Sequence, residues 1–450
     1  MRSELGEIAA GVAGAARDGE QVEAYVVRSH ETEVKVFGGA VESLAVAEAA
    51  GIGVRVVVDG RQGIAYAGSL DADVVASVLA DARDNASYGA ADPAYGLATP
   101  ADLDGVAPPT LDLWRDDVLG TPTEAKVELA IAADRAVLAS DPRVRGVEST
   151  DYGDAALEMA MVASTGVRAS IRRTTSSVSS VALAGERDET QTGYGFDVAR
   201  SFGELDIERV ASMAAERSTR LLGATQPATR RIPVVFDPMV TASVLALIGS
   251  ALSGEAVLKG RSMFAERLGE TIAAPSVTII DDPTNPEAFG ATPVDGEGIP
   301  TRAVPLVRDG TLLGFLHNLY TARRTGSATT GSAVRGYAST PGVGARALHL
   351  VPGAKSATDV LAAVPEALYV QSVSGLHSGT NAVSGDFSVG AEGLMVRDGA
   401  LAEPVRELTV ASTLQRMLQD VVEVGSDLTW LPGGTAGVTL LVADMTMAGS

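Results

Sequence analysis

The sequence predicts an α+β protein: an N-terminal α+β domain with antiparallel strands, followed by a β-rich, mainly antiparallel C-terminal domain. Three observations predict it. Helix-period segments alternate with short β-branched runs through the first half. Asp-Gly dipeptides separate apolar runs at Asp59-Gly60, Asp309-Gly310 and Asp398-Gly399, a strong hairpin signal. A length of 450 residues with 46% hydrophobic side chains supplies two or three domains with sizeable cores. A composition shift near Gly223–Arg231 divides the chain into domains at 1–224 and 225–450.

In order, residues 3–18 read as an amphipathic helix, followed by strands at Val22–Arg28, Glu33–Phe37, Glu42–Glu48, Gly53–Val58 and Gln62–Ala67. Asp71 stands where a cap belongs for a helix at Ala72–Asn85. Residues 88–110, rich in Pro, Gly, Asp and Ala, form a connection. A helix at Thr123–Ser140, with Thr123 as its cap, reopens the pattern. Strands follow at Val144–Thr150, Ala156–Ser164, Gly166–Arg173, Ser176–Ala184 and Glu189–Phe196, and a helix at Ile207–Leu222 closes the unit. The helix–strands–helix order thus recurs at an offset of about 120–135 positions. It reads either as a duplicated unit or as two ordinary α+β segments.

The second half opens with a strand at Ile232–Phe236. Asp237-Pro238 then offers a cap and a first-turn proline for an apolar helix across Met239–Leu258. Hairpins at Pro305–Phe315 and Gly393–Ala402 share the Asp-Gly turn. Further strands are expected at Ala347–Val351, Leu368–Val373 and Val438–Ala443, and short helices at Leu319–Thr325, Ala357–Ala363 and Ala411–Leu418. The Gly-rich segments 326–344 and 375–393 are expected as loops or sheet edges near a cleft.

Composition excludes several functions. Zero Cys removes disulfides, thiolate zinc sites, iron–sulfur clusters and a Cys nucleophile. With 35 basic against 57 acidic residues the net charge is −22, which argues against nucleic acid. Met1–Glu7 carries acids where a secretion signal needs bases, so the expected location is cytoplasmic. Met239–Leu258 has no aromatic or basic belt and reads as a buried helix, not a membrane span.

No motif announces catalysis. H-E-x-x-H, G-x-S-x-G and G-x-x-x-x-G-K-[ST] are all absent, and His30, His317, His349 and His377 have no partners at helical spacing. A metal site assembled from His317, His377 and a carboxylate such as Asp386 is one arrangement the residues allow. Carboxylates at Gly-rich turns, Asp295 with Glu297 in Asp295-Gly-Glu-Gly298 and Asp386 in Gly385-Asp-Phe-Ser388, are the remaining candidates for binding a cation or positioning a peptide.

Several ordered segments carry a resemblance. They include Gly290-Ala-Thr-Pro-Val-Asp-Gly-Glu-Gly-Ile-Pro-Thr-Arg302, Val307-Arg-Asp-Gly-Thr-Leu312, Leu319-Tyr-Thr-Ala-Arg323 with Thr330-Gly331, Val383-Ser-Gly-Asp-Phe-Ser-Val-Gly-Ala-Glu-Gly393 and Val424-Gly-Ser-Asp-Leu428. Phe37-Gly-Gly-Ala-Val-Glu-Ser43 and Gly51-Ile-Gly-Val-Arg55 extend it into the first half. Together they resemble the TldD/PmbA family, in its PmbA (TldE) branch.

The resemblance implies peptide hydrolysis by a heterodimer whose TldD-type chain holds zinc on an H-E-x-x-x-H helix, with a further Cys ligand. Here Leu245, Ala246 and Ser250 stand at the corresponding helix positions, and no Cys exists for the third ligand. The implied role is a non-catalytic, substrate-positioning or regulatory subunit, with zinc in the TldD-type partner, none in this chain, and a peptide as the bound substrate. The alternative is a stand-alone, metal-independent hydrolase or natural-product processing enzyme acting through Asp295, Glu297, His377 or Asp386.

Overall fold

Two units of one element order build the first half. In the computed structural model, which describes residues 4–103, 105–186 and 189–449, helix α1 (Glu4–Gly14) leads into β1 (Gln21–Phe37), β2 (Ala40–Val58) and β3 (Arg61–Ala67), and α2 (Ala72–Tyr88) closes the unit. After a one-turn helix α3 (Asp117–Gly120), the order repeats as α4 (Thr123–Ser140), β4 (Val144–Ala163), β5 (Arg168–Ala184), β6 (Gln191–Ala199) and α5 (Ile207–Thr219). The first strands of the two units pair antiparallel, giving one antiparallel sheet in the order β3-β2-β1-β4-β5-β6.

Strand alternation sorts the faces of that sheet. Val22, Ala24, Val26, Val54 and Val56 pack with α1 and α2. On the opposite face Tyr25, Val57, Met159 and Met161 meet Ile299 and Leu319 of the second half. The sheet is therefore a wall with helices behind it and the C-terminal half in front.

Strands expected as separate pairs are continuous. Val22–Arg28 and Glu33–Phe37 fuse into β1, Glu42–Glu48 and Gly53–Val58 into β2, and the two runs on either side of residue 153 into β4; β5 likewise spans both of its runs. The breaks in apolar patterning have two physical causes. Residues 40–49 of β2 are exposed, so no buried face imposes alternation there. In β4, Asp154 is buried but ion-paired to Lys126 at 2.6 Å, and Tyr152 donates to it at 2.5 Å. A satisfied polar group interrupts the pattern without interrupting the strand.

Two expected caps differ. Asp71 precedes α2, but its carboxylate accepts from the Ser69 hydroxyl at 2.9 Å and makes no capping bond. Thr123 is the first helical residue, with Pro122 in the cap position.

The second half comprises β7 (Arg230–Phe236), α6 (Pro238–Ala251), α7 (Gly254–Leu258), β8 (Ile279–Asp281), β9 (Val304–Arg308), β10 (Thr311–Leu312), α8 (Leu319–Thr325), β11 (Ala333–Val334), β12 (Gly342–Val343) and β13 (Leu348–Leu350). It continues through α9 (Ala357–Ala362), β14 (Glu366–Ser374), α10 (Leu376–Gly379), β15 (Asp386–Arg397), β16 (Ala400–Thr413), α11 (Leu414–Gln419), β17 (Val421–Val424), β18 (Thr429–Trp430), β19 (Ala436–Gly437) and β20 (Leu440–Ala448). Its main sheet runs β16-β15-β14-β7-β20-β17, and a further β16·β20 pairing bends it back on itself. All its pairings are antiparallel except β14 with β7.

Helix α6 starts as its sequence demands: Asp237 accepts from Met239 N–H at 3.0 Å, and Pro238 occupies the first turn. The apolar stretch expected as one helix breaks at Leu252–Ser253, because the Ser253 hydroxyl accepts from Ala256 N–H and caps α7. Among the described residues no helix is long and apolar enough to cross a membrane. The segment 375–393 is only half loop, since Asp386 onward is β15. The helix expected at Ala411–Leu418 begins at Leu414, after strand residues.

Candidate functional site at the domain junction

The site grows from one cross-strand pair. Glu23 of β1 and Arg55 of β2 are directly opposed in the antiparallel register. Both point to the face that meets the C-terminal half, and both are buried. Their carboxylate and guanidinium meet at 3.1 Å. Arg55 reaches on to Glu297 at 3.5 Å. Arg335, its side chain fully buried, pairs with the other oxygen of Glu23 and lies over the Tyr25 ring at 4.7 Å. Four charges from four segments thus form one chain across the junction.

A turn holds the acidic end of that chain. Asp295 Oδ1 accepts from the N–H groups of Glu297 at 2.8 Å and Ile299 at 3.0 Å, and its Oδ2 accepts from Ala333 at 3.0 Å. Glu297 Oε2 accepts at 2.8 Å from Leu319 N–H, an unpaired donor of the first turn of α8. Asn318 and Thr321 form a capping box on the same helix. Close backbone approach completes the junction. A Cβ on Gly53 would collide with the Tyr337 carbonyl oxygen, so only glycine lets the 335–337 segment lie against β2.

Two guanidinium groups face three carboxylates here, and the protonation states follow. Burial raises Asp295, and the adjoining Glu297 carboxylate raises it further against its three N–H donors. Glu297 is raised mainly by burial. Glu23 is buried equally, yet Arg55 and Arg335 hold it below the ordinary carboxylate range. One proton on the Asp295–Glu297 pair balances the cluster.

Glu297 and Arg55 also line a cavity of 440 Å³ between the halves, together with Tyr95, Lys259, Tyr320 and Arg324. Thr340, Pro341 and Gly342 of the Gly-rich segment 326–344 form part of its wall. Helix α8 is fixed there by its contacts to the connection before α3. Tyr320 donates to Asp92 at 3.0 Å, Arg324 pairs with the same carboxylate at 3.2 Å, and Arg323 donates to Gly96 O at 2.9 Å.

Of the four carboxylate and imidazole candidates, Asp295 and Glu297 belong to this cluster. His377 and Asp386 do not: both are exposed, on α10 and at the start of β15, and Asp386 accepts from Ser384 Oγ at 2.6 Å. His317 is buried with its Nδ1 at 3.1 Å from Thr321 Oγ1, and burial lowers its pKa. The metal arrangement of His317, His377 and Asp386 is therefore not assembled. Glu23, Arg55 and Arg335 escaped the sequence reading. The local signal for Glu23 and Arg55 was a charge between apolar neighbours, Val22-Glu-Ala24 and Val54-Arg-Val56, and Arg335, just after β11, had none.

This architecture recurs in solved structures. A candidate modulator of DNA gyrase from Thermotoga maritima superposes with a TM-score of 0.91 over 98% of this chain and 99% of that one, at 24% identity. TldE from Thermococcus kodakarensis gives 0.87 over 95% and 97%, at 22% identity. The sequence itself matches the PmbA/TldA metallopeptidase domain 1 at residues 22–86, the central domain at 116–222 and the C-terminal domain at 229–449. The chain belongs to the PmbA/TldD family. The metalloprotease PmbA of Escherichia coli O157:H7 is 28% identical over 412 residues, 91% of this chain and 88% of that protein. A peptidase-related role follows from this membership.

Zinc is the metal that the TldD/PmbA resemblance implies, and the same resemblance points to the stretch now seen as α6 for its ligands. Leu245 lies in the C-terminal core, Ala246 is exposed and carries no donor, and Ser250 donates its hydroxyl to Ala246 O at 3.0 Å. Among the described residues no three His, Cys, Asp or Glu side chains gather into a metal-binding group. This residue set does not fit a zinc ion.

Proposed function

We propose that this chain is the non-catalytic, substrate-positioning or regulatory subunit of a TldD/TldE-type peptidase heterodimer acting on peptides or unfolded segments. The zinc and the general base belong to a TldD-type partner. The observation that carries this reading is the chemistry of α6: an aliphatic side chain cannot coordinate zinc, and Ala246 cannot take a proton from metal-bound water.

The free edge of β2 supports pairing with another chain or an extended peptide. Among the described residues β3 pairs with β2 over Ile52–Val58 alone, so the outer edge of β2 at residues 40–51 has no strand partner there. Val41, Leu44 and Val46 are exposed along it. Such an edge accepts an added strand through backbone hydrogen bonds, with little sequence preference.

The buried Asp295–Glu297 pair supports a positioning role over a hydrolytic one. Asp295 is fully engaged by backbone N–H groups, and Glu297 by Arg55 and α8. Mixing the purified chain with a TldD-type protein, in a peptide-cleavage assay with each chain alone as control, tests the proposal. Cleavage that requires the partner supports it; cleavage by this chain alone in excess chelator defeats it.

A further inference from the structure

A second cavity, of 420 Å³, lies between the sheet face of the first half and the loops of the second. Arg173 of β5 and Arg346, just before β13, both line it. Alternation places Arg173 on the same sheet face as Tyr25 and Met161, directly opposite Leu157 in the β4·β5 register. From the other side come Phe289, Gly290 and the Gly433-Gly434 turn.

The charges of this cavity are unbalanced. Among the described residues neither Arg173 nor Arg346 has a carboxylate within ion-pair distance. Arg346 donates Nη2 to Ala333 O at 3.1 Å, while its buried Nε has no partner. Arg200, which lies over the Phe289 ring at 6.0 Å, also keeps a buried Nη1 without a partner. The groups repel one another: burial, and then the neighbouring Arg346, lower the basicity of Arg173, and burial and Arg173 do the same for Arg200. Among the described residues Glu31 is the one acid on the lining, and it is exposed. Guanidinium groups held together in a partly desolvated space, with donors left over, call for an anion with planar, bidentate acceptors. The volume suits a small ligand or the end of a chain.

We propose that the Arg173–Arg346 cavity binds a peptide carboxylate, and so anchors one end or one acidic side chain of the substrate. This rests on the substrate-positioning reading and gives it a specific anchor. The glycine turn at 433–434 leaves backbone room beside the guanidinium groups, and Phe289 supplies an apolar wall.

The test uses the full chain alone, with fluorescence anisotropy of labelled peptides of one neutral sequence. One peptide has a free C-terminal carboxylate, one is amidated, and one is amidated but carries an internal Glu. The proposal expects the free-acid peptide, the Glu peptide or both to bind at least tenfold tighter than the neutral amide. Preference for the free acid assigns the terminal carboxylate; equal binding of both acids assigns any carboxylate. Arg173→Gln, checked for an unchanged melting temperature, removes that preference; Arg346→Lys, which keeps the charge, retains part of it. Equal affinity for all three peptides, absence of binding, or a preference undiminished in R173Q overturns the proposal. Because no partner chain is present, carboxylate binding without partner-dependent cleavage defeats the subunit reading and leaves the anchor standing. Cleavage without carboxylate preference does the reverse.

Discussion

Glu23 and Arg55 stand opposite each other on neighbouring antiparallel strands, 3.1 Å apart between charged groups, and Arg55 passes the interaction to Glu297 in the other half of the chain. A single cross-strand pair therefore joins sheet formation to domain docking. The cost of burying these charges is met only while every member is present.

Removing Arg55 tests that coupling. Arg55→Met leaves Glu23 with Arg335 alone and Glu297 without a cation, and the expected loss is about 3–5 kcal/mol of unfolding free energy. Adding Glu297→Gln recovers part of that loss, because the uncompensated carboxylate is gone. Urea unfolding of the wild type, both single variants and the double variant gives the interaction energy.

Gly53 makes a steric prediction. Gly53→Ala forces Tyr337 and its segment away from β2, at a cost of about 1–3 kcal/mol or more. Limited proteolysis should then cut within residues 326–344 at concentrations that leave the wild type intact.

The Asp295 pair predicts how stability varies with pH. Asp295 has a folded pKa raised to about 7, so the native state holds a proton that the unfolded chain releases earlier. This contribution is complete below the unfolded value of about 4 and fades as pH rises through about 7. Asp295→Asn lowers absolute stability by setting an amide donor against the three N–H groups or losing one of their acceptors. It should nevertheless flatten the decline between pH 5 and 8, read as the slope of urea midpoints. An unchanged slope contradicts the assignment.

Grafting zinc ligands onto α6 should fail. Leu245→His places an imidazole in the apolar core, and even with Ala246→Glu and Ser250→His no third ligand is available from Cys. The triple variant is expected to lose about 2–4 kcal/mol and to hold well under one zinc per chain by elemental analysis.

Legibility in the sequence followed local chemistry. Asp59, Asp309 and Asp398 adopt positive φ beside their glycines, as the Asp-Gly turns require, and α8 runs from Leu319 to Thr325 as expected. Asp237-Pro238 opened α6 for the same reason: a cap is written within a few residues. Strand continuity was less legible, because buried Asp154 and exposed Ala40–Ala49 break an apolar rhythm that the backbone ladder does not need. The site was half legible. Asp295-Gly-Glu297 declares itself as a turn, but its partners Glu23, Arg55 and Arg335 lie hundreds of positions away for the most part, and only the register of β1 with β2 and the docking of the two halves join them.

On the function proposed above, this chain serves a peptidase without carrying its metal chemistry. The most direct measurement is peptide cleavage by this chain, by a TldD-type chain and by their equimolar mixture, with zinc content determined for each. Cleavage should depend on the mixture, and zinc should track the partner alone. Cleavage by this chain on its own in excess chelator would contradict it.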